Sequence, residues 1–71
     1  MSAKGSNMPK YPNITINLSG FKNDNFMIII KCLRALRENS LGHELENFVK
    51  DIEKGGAENL LRTASNWFNV Q

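Results

Sequence analysis

Seven consecutive residues, Asn13 to Ser19, alternate polar and apolar without a break, with Ile14, Ile16 and Leu18 on one face and Asn13, Thr15, Asn17 and Ser19 on the other. This is the pattern of a half-buried strand. Gly20 ends it, and Lys22-Asn23-Asp24-Asn25 supplies turn and N-cap chemistry for the next element. The rest of the ordered sequence reads as helix, so this strand has to find a partner far from its own neighbourhood. Two are open to it: the short C-terminal Asn69-Val70-Gln71, or the same strand of a second copy.

A first helix is predicted from about Asn25 to Asn39, with Phe26, Ile29, Ile30, Leu33 and Leu36 at helical spacing as the core stripe. Met27, Ile28, Cys32 and Ala35 widen that stripe until the first half of the helix is apolar nearly all round, whereas Lys31, Arg34 and Arg37 give the second half a polar edge. So broad an apolar surface on so small a chain marks the N-terminal half of this helix as a subunit interface. Ser40 is expected to cap a second helix, in which Leu41, Leu45, Phe48, Val49 and Ile52 form one stripe. Glu44 and Glu46 near its start and Lys50 and Lys54 near its end suit the helix dipole, and Gly55-Gly56 stops it. A third helix is expected from about Ala57 to Asn69, with Leu60, Leu61, Ala64, Trp67 and Phe68 inward.

Seventy-one residues hold one domain at most, and a core of that size seldom supplies more than about 3–5 kcal/mol, so such chains lean on disulfides, a metal or a partner. One cysteine, Cys32, makes no intramolecular disulfide, and one histidine, His43, does not complete a structural zinc set. A second copy or another protein is the staple that remains. Residues 1 to 12 (MSAKGSNMPKYP) have little to bury and are expected to form a flexible arm. Gly5-Ser6-Asn7 ahead of Met8 is open to two readings, native chain or an expression remnant with the natural start at Met8.

Charge is unevenly spread. Residues 1 to 37 carry six Lys/Arg against the single Asp24, while residues 38 to 71 sum to −3, an asymmetry suited to head-to-tail contact, a polyanion or an acidic partner surface. The longest apolar run, Phe26 to Ile30, is far short of a membrane span, and no secretory leader opens the chain, so a cytoplasmic protein is expected.

Chemistry-bearing residues are few. Cys32 lies on an apolar helix flank and reads as a structural thiol, and His43 as a solvated surface residue. Glu44 and Glu46, two apart on a helix, point in different directions and with Asp51 and Glu53 read as a solvated acidic face. Gly55-Gly56 lacks the Lys-Ser/Thr or Gly-x-Gly context of a phosphate loop. Nothing combines a nucleophile, a base and an orienting group, so no enzyme, cofactor or metal site is expected.

At Ile14 to Gly20 followed by Asn25-Phe26, and again at Gly55-Gly56 followed by Leu60-Leu61, the chain resembles short uncharacterised proteins of phages and prophages. The resemblance spans residues 13 to 70, rests on about ten positions by sequence patterning and implies a phage-type context in which small proteins act by binding a host protein. A weaker resemblance, strand then helix then helix with an alternating polar strand face, is to ribbon-helix-helix DNA-binding proteins, in which two strands pair across a dimer and enter the major groove. It implies that Asn13, Thr15 and Asn17 face bases and that the second helix start, near Ser40, meets phosphate. The strand face carries no Lys or Arg, the linker to the first helix is longer than in that fold, and the third helix is extra.

The sequence thus predicts a single α+β, mainly α domain over residues 13–71, one N-terminal strand followed by three helices, closed as a homodimer. The strand face Ile14, Ile16 and Leu18, or the helix face Phe26, Met27 and Ile28, forms the dimer or partner interface. The expected function is non-enzymatic interaction or regulation by binding a host or phage protein, with a DNA-binding regulator as the alternative.

Overall fold

A computed structural model describes residues 8–71; the first seven residues, and with them the question of a remnant before Met8, lie outside the described residues. The fold is α+β and mainly α, in the order β1 (Tyr11–Ile16), α1 (Asn25–Glu38), α2 (Leu45–Gly55), α3 (Leu60–Trp67) and β2 (Phe68–Val70). Single 3₁₀ turns, Gly42–Glu44 and Ala57–Asn59, lead into α2 and α3.

The strand finds its partner within its own chain. β1 lies parallel to β2, with Tyr11 beside Phe68, Thr15 beside Asn69 and Ile16 beside Val70. Pairing continues past both strand ends. The Gln71 amide donates to the Ile16 carbonyl at 2.8 Å, the Leu18 amide to the Gln71 carbonyl at 2.7 Å, and the Lys10 amide to the Asn66 carbonyl at 2.9 Å. The ladder is irregular between Tyr11 and Thr15, where Pro12 has no N–H to give. The inward alternation runs as the sequence predicts, since Ile14, Ile16 and Leu18 are buried while Asn13, Thr15, Asn17 and Ser19 are exposed. The strand itself starts two residues earlier than the alternation, because backbone pairing and the ring of Tyr11 extend it. Residues 10 and 11 therefore belong to the domain and not to an arm: Tyr11 packs 6.0 Å from Trp67 and 6.4 Å from Phe68 between ring centroids.

α1 begins as the sequence predicts. Asp24 is its N-cap, accepting from the Met27 amide at 3.1 Å. Its buried stripe is different. Ile28, Cys32 and Leu36 are fully covered with Ile29, Leu33 and Ala35 packed beside them, whereas Phe26 is 71% exposed. The helix is apolar on too many sides for periodicity to select a face, and the docking of β1 and α3 against it selects one. Ser40 does not cap α2. It sits at φ 61°, in the left-handed region that closes α1, and donates its amide to the Arg37 carbonyl at 3.2 Å, while the Leu41 amide returns to Leu36 at 2.7 Å.

On α2 only Phe48 is fully buried; Leu45 and Ile52 pack at the core margin, Val49 stays 38% exposed, and Leu41, predicted on this helix, packs at the margin from the loop before it. α3 turns Leu60, Ala64 and Trp67 inward, as predicted, together with Thr63, but Leu61 is only half-buried and the helix ends at Trp67, so Phe68 is buried from β2 and not from the helix. Phe48 stands edge-on to Trp67 at 5.2 Å and to Phe68 at 5.8 Å, so the aromatic centre joins α2, α3 and β2. Four residues expected at an interface, Ile14, Ile16, Leu18 and Ile28, are therefore covered by the chain's own core. The apolar face of one strand and one helix stripe satisfy each other, which leaves these residues no surface to offer a partner.

Candidate protein-interaction surface

Once the core has taken one face of α1, the opposite face carries the apolar residues left over. Phe26, Ile30, Leu33 and Arg37 recur at i, i+4, i+7 and i+11 and so form one stripe along the helix. Phe26 is exposed and Ile30 and Leu33 half-buried, while Met27 lies round the helix and is half-buried. Across from the lower end of this stripe, α2 contributes Leu45 and Val49. Leu33, Arg37, Leu45, Glu46 and Val49 together line an apolar groove of about 330 Å³ between the two helices, with Arg37 on the α1 rim and Glu46 on the α2 rim. An isolated exposed apolar side chain is ordinary, but a strip running from Phe26 to Val49 is the kind of continuous patch that marks a contact surface.

The loop that delivers Phe26 is ordered by its own hydrogen bonds. Gly20 takes φ 84°, the Phe21 amide donates to the Leu18 carbonyl at 2.8 Å, and the Asp24 amide donates to the Phe21 carbonyl at 2.9 Å. Phe21 is partly exposed, with the Lys31 ammonium 5.1 Å from its ring centroid. Two aromatic rings thus stand at the solvent-facing start of α1.

The most connected polar cluster centres on Glu44 and serves the fold. Glu44, buried despite its charge, accepts from Asn47 Nδ2 at 2.9 Å and from the Tyr11 hydroxyl, and pairs with Lys10 Nζ at 2.9 Å. Lys10 also lies 4.4 Å from the Trp67 ring centroid, and Trp67 Nε1 donates to Asp51 Oδ2 at 2.8 Å. The Asn47 hydrogen bond, then those of Tyr11 and Lys10, hold the Glu44 carboxyl down to about 2, and the same contact raises the Tyr11 hydroxyl above its ordinary value. A carboxylate held ionised this way fastens the start of β1 to the entry of α2 and is a poor proton donor. Because its folded value lies below the ordinary 4.5, Glu44 stabilises the fold above that pH and loses its contribution as pH falls towards 2. Urea midpoints for the protein and Glu44→Gln are therefore expected to differ at about pH 6 and to converge near pH 2. A gap of constant size across that range would exclude this role for Glu44.

The remaining candidates divide cleanly. Burial pushes the Cys32 thiol up to about 12, so it stays protonated and inert inside the core. His43 is exposed on the 3₁₀ turn before α2. Among the described residues no group of three or more His, Cys, Asp or Glu is placed to hold a metal ion, and no helix is long and apolar enough to cross a membrane. Asn13, Thr15 and Asn17 share the open face of the sheet, but Thr15 Oγ1 accepts from Asn69 at 3.4 Å and Asn17 Oδ1 accepts from the Ser19 amide at 2.9 Å. The structure does not bring Ser40 to a helix start, since it closes α1.

Sequence reading pointed to Phe26 and Met27 but missed the groove, because Leu45 and Val49 lie on a separate helix whose stripe looked wholly internal. It also missed the Lys10–Tyr11–Glu44 cluster, for which an acidic residue at helical spacing gives no signal of a partner 33 positions away. Comparisons with protein-family models, curated proteins and solved structures find no match for this chain.

Proposed function

We propose that this chain is a small, non-enzymatic interaction or regulatory protein of phage type, acting in the bacterial cytoplasm by binding a host or phage protein. The observation that carries the reading is the apolar strip from Phe26 to the Leu33–Val49 groove, left open after the core is complete. Its support is energetic. Each apolar side chain kept in water forgoes on the order of 1.5–3 kcal/mol of burial, and a protein contact recovers it. Protein-contact surfaces are built around aromatic and aliphatic anchors of this kind. Polar clusters elsewhere are committed to fastening β1, α2 and α3 together, so the strip is the surface with chemistry to spare. The DNA-binding alternative has less support, because β1 is paired in parallel within its own chain and its polar face carries no basic residue.

Placing a photo-reactive benzoylphenylalanine in place of Phe26, and separately in place of Asn13, tests the reading in living cells. Illumination is expected to give protein adducts from position 26. Nucleic-acid adducts from position 13, with no protein adduct from position 26, would overturn it in favour of the regulator.

A further inference from the structure

The groove between α1 and α2 carries one cation on one rim and one anion on the other, with apolar side chains between. From this the geometry points to a second copy of the same chain as the occupant of the strip, joined by a two-fold axis through the groove. The inference rests on the protein-binding reading and names the first partner of that surface; the host or phage protein then meets a dimer.

Three observations converge on self-association. The first is charge. A two-fold axis that runs along the groove sets Arg37 of one copy against Glu46 of the other and repeats the pair in the opposite sense, so both rims are neutralised by one arrangement. A foreign partner has to bring a matching anion and cation at the same spacing; a second copy has them already. Arg37 takes part in none of the ion pairs of the described residues, and Glu46 takes part in one weak pair. Among the described residues the ion pairs are Lys10 with Glu44, Arg34 with Glu38, and Lys50 with Glu46; the last is long at 3.9 Å and exposed on both sides, hence readily exchanged.

The second observation is shape. The strip lies along two neighbouring helices, and two such helix pairs face to face make a four-helix arrangement in which Leu33, Leu45 and Val49 of each copy fill the groove of the other. Phe26, at the far end of the stripe, is then carried onto the partner's surface. The third is size. A 71-residue chain with a single cysteine closes no internal disulfide, and a core this small gains from the cover of a second copy.

The test uses charge exchange on the purified full chain, read by sedimentation equilibrium with circular dichroism as a folding check. Wild-type protein is expected at twice the chain's 8.0 kDa. Arg37→Glu and Glu46→Arg each place two like-charge pairs in the contact, and each is expected to weaken the dimer by about 10–100-fold while melting as a folded protein. Mixing the two variants is expected to restore a dimer containing one copy of each, since every rim contact is then between opposite charges. The double variant is expected to dimerise with itself. A wild-type chain that stays monomeric up to about 500 µM, far above the micromolar range of weak specific dimers, would overturn the inference, as would variants that dimerise like the wild type. Protein adducts from position 26 alongside a monomeric purified chain would sink the self-association and leave the protein-binding reading standing, so the two failures are distinguishable.

Discussion

Phe48→Ala is expected to abolish the cooperative fold at room temperature. The ring is fully buried, meets Trp67 edge-on at 5.2 Å and Phe68 at 5.8 Å, and is the only residue of α2 with no exposure. Truncating a buried Phe to Ala costs about 3–5 kcal/mol, which equals what a core of this size supplies in total. The change is therefore one of state and not of degree. Trp67 is the single tryptophan and is buried, so its fluorescence reports the outcome directly. The wild type is expected to show blue-shifted emission and a sigmoidal urea transition; the variant is expected to emit as an exposed indole and to show no transition. Phe26→Ser removes a ring of the same size from a position that is 71% exposed in the single chain, and the stability of the dissociated chain should move by no more than about 0.5 kcal/mol. Equal effects at the two positions would mean that the core has been assigned to the wrong face of α1.

Ending the chain at Trp67 is expected to be as damaging, although it removes only Phe68 to Gln71. Phe68 is buried at the junction of β1, α2 and α3, and its loss alone is of the same order as that of Phe48. The truncation also strips β1 of β2, its only strand partner among the described residues. The Leu18 amide and the Ile16 carbonyl lose their bonds to Gln71, and the buried face of Ile14, Ile16 and Leu18 loses one side of its cover. An unpaired strand with an apolar face is an aggregation template. The shortened chain is expected to bind a hydrophobic dye, to exchange its Ile16 and Leu18 amides at unprotected rates and to self-associate without defined stoichiometry. Asn69→Ala, on the exposed face of the same strand, should leave all three readouts near wild type. A truncated chain that retains protected Ile16 and Leu18 amides would show that the helices alone organise the core.

These two results also decide how the surface experiments are read. Substitutions at Phe26, Arg37 and Glu46 test binding only because the core lies elsewhere. The same substitutions on a chain whose stripe ran through Phe26 would report unfolding. Correct assignment of the buried face of α1 is thus the hinge between the stability predictions and the functional ones.

The order of elements was legible from residues alone, because it depends on local chemistry. Strict alternation gave the inward set Ile14, Ile16 and Leu18, the Lys22-Asn23-Asp24-Asn25 turn gave the start of α1, Gly55-Gly56 the end of α2, and helical spacing gave Leu60, Ala64 and Trp67 of an inward set that also held Leu61 and Phe68. Three features were decided only by the folded chain. The partner of β1 lay more than fifty residues away, and a two-way choice between β2 and a second copy is one that no local pattern resolves. The buried face of α1 was undetermined because apolar residues surround its first half, and only the docking of the other elements selects Ile28, Cys32 and Leu36 over Phe26. The groove with its Arg37 and Glu46 rims is made by two helices together, so neither helix announces it. Local sequence sets what each segment is; which of its faces remains for a partner is set by what the other segments have already covered.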